Sequence, residues 1–272
     1  MSILTNTQEN KRYTFLGGYA LPLVQKIALS GLFIALACIL NKVLAINYIS
    51  AVPFVRISFG GPAIIMFAAF LLGPFYGAFI GAMSDVLGYF VFDIKAFPWY
   101  PSITSTYLLL GFCSGLLFYV LHKVKGEKLT QILTYLIMGV SFVGLSSYLI
   151  FNDTATWWGK THNIELWMKV FFPLAMLFLF VGLILFIEIS NKKGKFKDLP
   201  LNIYQITLGC FVIEVLIMTL YGSLMKAVAF GMDIFLVILF CQAMTMFFNI
   251  PFNVMMLSLI MKATKKYYLN QN

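Results

Sequence analysis

"RISFGGPAIIMFAAFLLGPFYGAFIGAMSDVLGYFVF", residues 56–92, decides the fold. It is apolar almost throughout, yet it opens on Arg56 and carries Asp85 deep inside. Backbone in hydrocarbon has no water to bond, so an apolar run of this kind satisfies its peptide groups as helix. Gly73-Pro74 interrupts the run and predicts a tight turn between two helices. In the second helix Gly77, Gly81, Asp85 and Tyr89 recur every four residues and share one face. The glycines admit a close neighbour, and the acid then points into the bundle. A carboxylate at that depth is costly unless it is protonated, paired or wet. Two readings stay open for Asp85, an interhelical clamp and a ligand-pocket residue.

The rest of the 272-residue chain repeats this character. It is 61% hydrophobic and 11% charged, with mean hydropathy +0.91, more than a soluble core requires. The apolar residues form continuous runs of about 20 and do not alternate, which argues for helices and against a barrel. Eight spans are predicted, at residues 27–46, 60–72, 75–91, 102–121, 129–151, 170–189, 203–221 and 234–261. The second is short and needs to begin near Phe54 to cross. The expected fold is an all-α, polytopic membrane helical bundle.

The net charge is +9, but the lysines sit beside apolar runs and read as topology signals, so no nucleic-acid partner is expected. Lys11, Arg12 and Lys26 precede the first span. Lys123, Lys125 and Lys128 follow the fourth, Lys192, Lys193, Lys195 and Lys197 the sixth, and Lys262, Lys265 and Lys266 the eighth. With an even number of spans all fall on one side, predicted to be cytoplasmic, with both termini there. Arg56, Lys95, Lys160, Lys169 and Lys226 fall on the other, where Trp157, Trp158 and Trp167 suit an interfacial belt. Cys38, Cys113, Cys210 and Cys241 lie within apolar runs as packing residues. There is no P-loop, His-Glu-x-x-His or Gly-x-Ser-x-Gly, and His122 and His162 lie outside the spans. An enzyme, a cofactor and a metal are therefore not expected.

Polar residues inside the spans are the candidates for function. Glu214 lies mid-span in the seventh, near Cys210 and Tyr221 on one face. Gln242, Thr245, Asn249 and Asn253 form a single stripe on the eighth, around Pro251. Such a stripe is either pocket lining or bundle glue. Arg56 either snorkels to the interface or receives a carboxylate as a fork. Residues 93–104, "DIKAFPWYPSIT", combine Lys95, Phe97, Trp99 and Tyr100 with two stiffening prolines, as a belt or as a lid over a flat ligand. In the first span Ala28, Gly31, Ala35 and Ala37 serve either intrachain packing or docking of another membrane protein.

These motifs together resemble the substrate-binding S components of energy-coupling-factor (ECF) vitamin transporters, the folate subfamily in particular. The matching pattern is Arg56–Gly60, Pro62, Leu71-Leu-Gly-Pro74, Gly77, Gly81 and Asp85-Val-Leu-Gly88. "YPSITSTYLLLGFCSGLLFY" (residues 100–119) is similar to the family's loop entering its fourth helix, through Pro101, Thr104, Gly111 and Gly115. "FFNIPFNVMMLSLIMKATKK" (residues 247–266) is similar to its last helix. An arginine common early in that helix is Gln242 here, and a glycine after the loop proline is Ser102.

The resemblance implies a six-helix core carrying two extra helices. Residues 1–26 would be a cytoplasmic segment, 27–125 helices one to four, 126–200 an inserted two-helix segment, and 201–272 the last two helices and tail. It implies capture of a vitamin, a folate, outside a bacterial plasma membrane. Delivery inward would use a transmembrane coupling subunit and two ATP-binding subunits. Asp85, Glu214, Asn249 and Asn253 would accept the pterin N–H donors. Trp99, Tyr100 or Phe97 would stack on the rings, and Arg56 or Lys95 would meet the glutamate tail. Ser58, Tyr89, Thr104 and Gln242 complete the expected site, and the small residues of the first span would meet the coupling subunit. The alternatives are pantothenate, riboflavin or a queuosine precursor as ligand, a standalone secondary carrier, an intramembrane enzyme, or a scaffold.

Overall fold

The computed structural model describes residues 13–14, 18–19, 21–49, 52–93, 98–124, 126–152, 154–157, 160–163, 166–194, 199–232 and 235–264. Helix α1 (Leu23–Cys38) continues into a wide π-helical turn, Ile39–Val43. A hairpin of β3 (Ile46–Ile49) and β4 (Val52–Ile57) follows, then α2 (Gly61–Leu72) and α3 (Pro74–Gly88), which ends in a second π turn, Tyr89–Asp93. Next come α4 (Pro101–Lys123), α5 (Glu127–Phe151) and α6 (Leu166–Lys192). One rod then runs through α7 (Ile203–Ile213), a third π segment (Glu214–Tyr221) and α8 (Gly222–Phe230), before α9 (Phe235–Ala263). Two small antiparallel hairpins complete the described elements, β1 (Tyr13–Thr14) with β2 (Gly18–Tyr19), and β5 (Thr154–Trp157) with β6 (Lys160–Asn163).

Among the described residues seven helices are long and apolar enough to cross a membrane. The second predicted span, residues 60–72, is the exception. Helix α2 has 12 residues, about 18 Å at 1.5 Å per residue, against a hydrocarbon core of about 30 Å. It does not reach back to Phe54, because residues 52–57 are strand β4, paired with β3 across Asn47↔Arg56 and Ile46↔Ile57. Strand β4 packs along α9, so strand stands against the bundle where a full-length helix was expected. Every residue of α2 is buried, which makes this half-length helix the centre of the bundle. The seventh span also differs from expectation: the rod runs to Phe230, nine residues beyond Tyr221.

The glycine ladder of the opening stretch does what its spacing predicts. Helices α3 and α4 touch backbone to backbone. A Cβ on Gly81 would lie 2.0 Å from the Tyr107 carbonyl oxygen, and one on Gly111 2.0 Å from that of Gly77. Gly115 meets Pro74 in the same way, at 2.6 Å from its Cα. At the end of α2, Gly73 takes φ +98°, and Pro74 starts α3 where its missing N–H costs nothing.

Helices α4 and α7 are tied end to start although 80 residues separate them in the chain. Asn202 and Gln205 form a reciprocal N-terminal cap on α7. The Gln205 amide nitrogen also donates to the carbonyls of Leu121 (2.7 Å) and Val124 (2.8 Å) at the end of α4. His122 Nδ1 contacts the Pro200 carbonyl at 2.9 Å. The α5–α6 pair thus leaves and re-enters the bundle at one place. It packs mainly on α7 and α9. Glu188 of α6 accepts hydrogen bonds from Tyr135 of α5 and from Tyr204 of α7, the latter at 3.0 Å.

Three outcomes follow. Gly111→Val should force α3 and α4 apart and cost about 2 kcal/mol or more of stability. Gly139→Ala, at a position whose added Cβ would meet nothing within 4 Å, should be neutral or slightly stabilising. Gln205→Ala should cost about 1–3 kcal/mol by removing the α7 cap and the amide that joins it to the Leu121 and Val124 carbonyls. Thermal unfolding of the detergent-solubilised proteins checks all three.

Candidate functional site

The polar residues of the sequence fall into two hydrogen-bonded groups. The first joins α7 to α9. Glu214 opens the π segment of the α7–α8 rod and is 2% exposed. Its Oε1 accepts from Asn249 Nδ2 at 3.1 Å and its Oε2 from Asn253 Nδ2 at 3.3 Å. Asn249 Oδ1 accepts the Ser58 backbone N–H at 2.9 Å, and the Ser58 hydroxyl donates to Asn41 Oδ1 at 3.1 Å. The chain Asn41–Ser58–Asn249–Glu214–Asn253 therefore links α1, the entrance to α2, α9 and α7. Gly61 leaves room for the Asn41 amide, which a Cβ there would displace.

One atom in this group is left over. Asn253 is fully buried, and its Oδ1 has no hydrogen-bond partner among the described residues. Reversing the amide would turn that oxygen towards the Glu214 carboxylate, so the present orientation is the sensible one. Beside each other lie a carboxylate with spare lone pairs and an amide oxygen with no donor. A buried arrangement of that kind suits an incoming N–H edge.

The second group lies where α1, α3 and α4 meet. Thr104 Oγ1 donates to Asp85 Oδ2 at 2.7 Å, and the indole N–H of Trp99 donates to Thr104 Oγ1 at 3.0 Å. Lys42 Nζ stands 3.9 Å from Asp85 Oδ1, and both side chains are nearly buried. Gly88 leaves room for that lysine, as a Cβ there would lie 2.8 Å from Lys42 Cε. Asp85 therefore bonds to neighbouring helices, as a clamp would.

The other expected site residues divide as follows. Gln242, Thr245, Asn249 and Asn253 are all buried, in keeping with an inward stripe. Tyr89 closes α3 with its ring edge-on to Phe90. Trp99 is half-exposed, and the Tyr100 ring packs 5.1 Å from Phe230, so these aromatics are braced by the bundle. Ser105 and the Tyr221 hydroxyl meet at 3.0 Å. Arg56 is placed by its backbone alone, on β4 opposite Asn47. Lys95 and Phe97 lie outside the described residues, as does Trp158. On α1, Ala28, Gly31 and Ala35 are exposed along one face, and nothing lies within 4 Å of a Cβ added to Gly31. Ala37 must be removed from that set: it is 0% exposed, turned into the core on the opposite side of the helix.

Sequence reasoning missed Asn41 and Lys42. Both sit in the π turn that ends α1, inside the predicted first span. The available signal was the lysine itself, since a cation within an apolar run calls for a partner such as Asp85.

A family model described as "ECF-type riboflavin transporter, S component" matches residues 23–171, more than half of the chain. Comparison with curated proteins and with solved structures gives no match. The matched stretch runs from the start of α1 into the first turns of α6 and continues past residue 126, the expected start of an inserted pair. It includes the Lys42–Asp85–Thr104 group and Ser58, and it stops before α7 and α9. An apolar multi-helix bundle, its glycine-packed α3–α4 seam and this match converge: the chain belongs to the ECF-type riboflavin transporter S component family, the substrate-specific membrane subunits of such transporters in the cell membrane.

Proposed function

We propose that this subunit captures a folate from outside the cell and hands it inward with a transmembrane coupling subunit and two ATP-binding subunits. The lysine-rich helix ends, at Lys26, Lys123, Lys128, Lys192 and Lys262, face the cytoplasm in this reading, with both termini there. The outward face of α1, with Ala28, Gly31 and Ala35, receives the coupling subunit, because small residues let a partner helix approach closely. The α5–α6 pair is an addition to a six-helix core, a reading supported by the direct link between the end of α4 and the start of α7.

The observation that carries the ligand class is the partnerless Asn253 Oδ1 beside Glu214. A 2-amino-4-oxopyrimidine edge, as in a pterin, offers a ring N–H and an adjacent amino group. Two such donors satisfy a carboxylate and an amide oxygen together. Asp85 in this reading braces the pocket and does not read the ligand. Arg56 or Lys95 meets the glutamate carboxylates at the mouth. Riboflavin is the second reading, favoured by the family match. Its imide edge holds one N–H between two carbonyls, so docking it here would turn a carbonyl towards Glu214.

Thermal shift with folate, riboflavin, pantothenate and a deazaguanine decides between them. Folate at a hundred times its Kd should add about 2.7 kcal/mol of stability. Glu214→Gln and Asn253→Leu should each abolish that shift. Asp85→Asn should lower the basal melting temperature and leave folate affinity nearly unchanged. A shift with riboflavin and none with folate overturns the ligand assignment.

A further inference from the structure

The α5–α6 pair places one ring where it bears on the polar group. Phe180 of α6 enters the groove between α7 and α9. Its ring centroid lies 5.8 Å from that of Phe211 on α7 and 4.8 Å from that of Phe247 on α9, both tilted. Phe142 of α5 stands behind it at 6.3 Å. Phe180 is 5% exposed, and Phe211 and Phe247 are fully buried. The wedge sits on the inward stripe of α6 formed by Met176, Phe180, Leu183 and Ile187, while Phe178 faces away at 78% exposure.

The position of this wedge matters. Phe211 comes one turn before Glu214 on α7. Phe247 comes two residues before Asn249, and two residues turn a helix by about 200°, so ring and amide lie on opposite sides of α9. The front of the α7–α9 contact is therefore held by Glu214 with Asn249 and Asn253, and its back by Phe180. Hydrogen bonds of 3.1 and 3.3 Å across two helices tolerate little change in their separation.

We propose that Phe180 is a positioning residue that sets the α7–α9 separation at the ligand-reading group, so that the α5–α6 pair forms the back wall of the binding site. The proposal rests on the reading of that group as the ligand's donor-accepting pole. It requires Phe180 to act on Glu214 and the two asparagines through packing alone, without touching ligand.

The test uses the full chain in detergent, with Phe180→Ala, Phe180→Leu, Phe178→Ala and Glu188→Gln. Folate Kd, melting temperature and hydrogen–deuterium exchange of residues 211–221 and 245–253 are measured for each. Phe180→Ala should weaken folate by about tenfold or more and speed exchange in both segments. Phe180→Leu should recover part of both. Phe178→Ala should change neither. Glu188→Gln, which cuts the tyrosine knot elsewhere on α6, should lower the melting temperature and leave folate Kd unchanged. Wild-type affinity in folded Phe180→Ala overturns the proposal. So does an equal loss in Glu188→Gln, which would make the pair a general stabiliser. Should Phe180→Ala fail to fold, Phe180→Leu carries the same comparison. Wild-type protein that binds no folate refutes the ligand assignment instead, and the wedge then stands or falls on exchange in the two segments.

Discussion

Hydrocarbon offers no water to a polar group, and the arrangement of this bundle follows from that constraint. Most polar atoms inside find protein; among the described residues Asn253 Oδ1 does not. Glu214 finds two asparagines, Asn249 finds the backbone of Ser58, and Ser58 finds Asn41. These bonds pull four separate pieces of chain to one point. The half-length α2 fits the same constraint: the strand that precedes it packs along α9, and the Ser58 N–H at its entrance is bonded by an asparagine side chain. Removing any one member would leave its neighbour's desolvated group unpaired, a cost well above that of a typical surface contact.

The two halves of the bundle are built on different principles. Helices α3 and α4 meet through glycines, carbonyl against Cα, with little freedom to slide. Helices α7 and α9 meet through a carboxylate and amides backed by aromatic rings. The first contact depends on the absence of side chains and the second on their chemistry. Asp85 and Thr104 extend the glycine seam towards the ends of α3 and α4, where Lys42 joins them from α1.

Much of this was legible in the sequence, because the signals were long or periodic. Apolar runs gave the helices, Gly73-Pro74 the turn, and four-residue spacing the face of α3 that meets α4. The stripe on α9 was readable for the same reason. What failed to show were features set by tertiary context. The strand over residues 52–57 is short and apolar, and its pairing with residues 46–49 leaves no pattern distinct from a helix start. Ala37 looked equivalent to Ala28, Gly31 and Ala35 because small residues mark inward and outward helix contacts alike. Lys42 lies near the end of an apolar run, where a lysine that snorkels to the interface and one that pairs inside the bundle leave the same local pattern. Which neighbour Asp85 would choose depended on how α1 crosses α3, and no local spacing encodes that.

The three π segments have a consequence for how this chain can vary. Each carries polar residues of the two groups or their neighbours: Asn41 and Lys42, Tyr89, and Glu214 with Tyr221. A π turn holds surplus backbone relative to an α-helix, in effect a stored insertion. Losing one residue there would let the wide turn tighten to α-helix while the helix on either side keeps its orientation, so only the residues of the turn itself would be re-aimed. Substitutions tune such a pocket gradually, whereas one lost codon at these places would re-aim it in a single step.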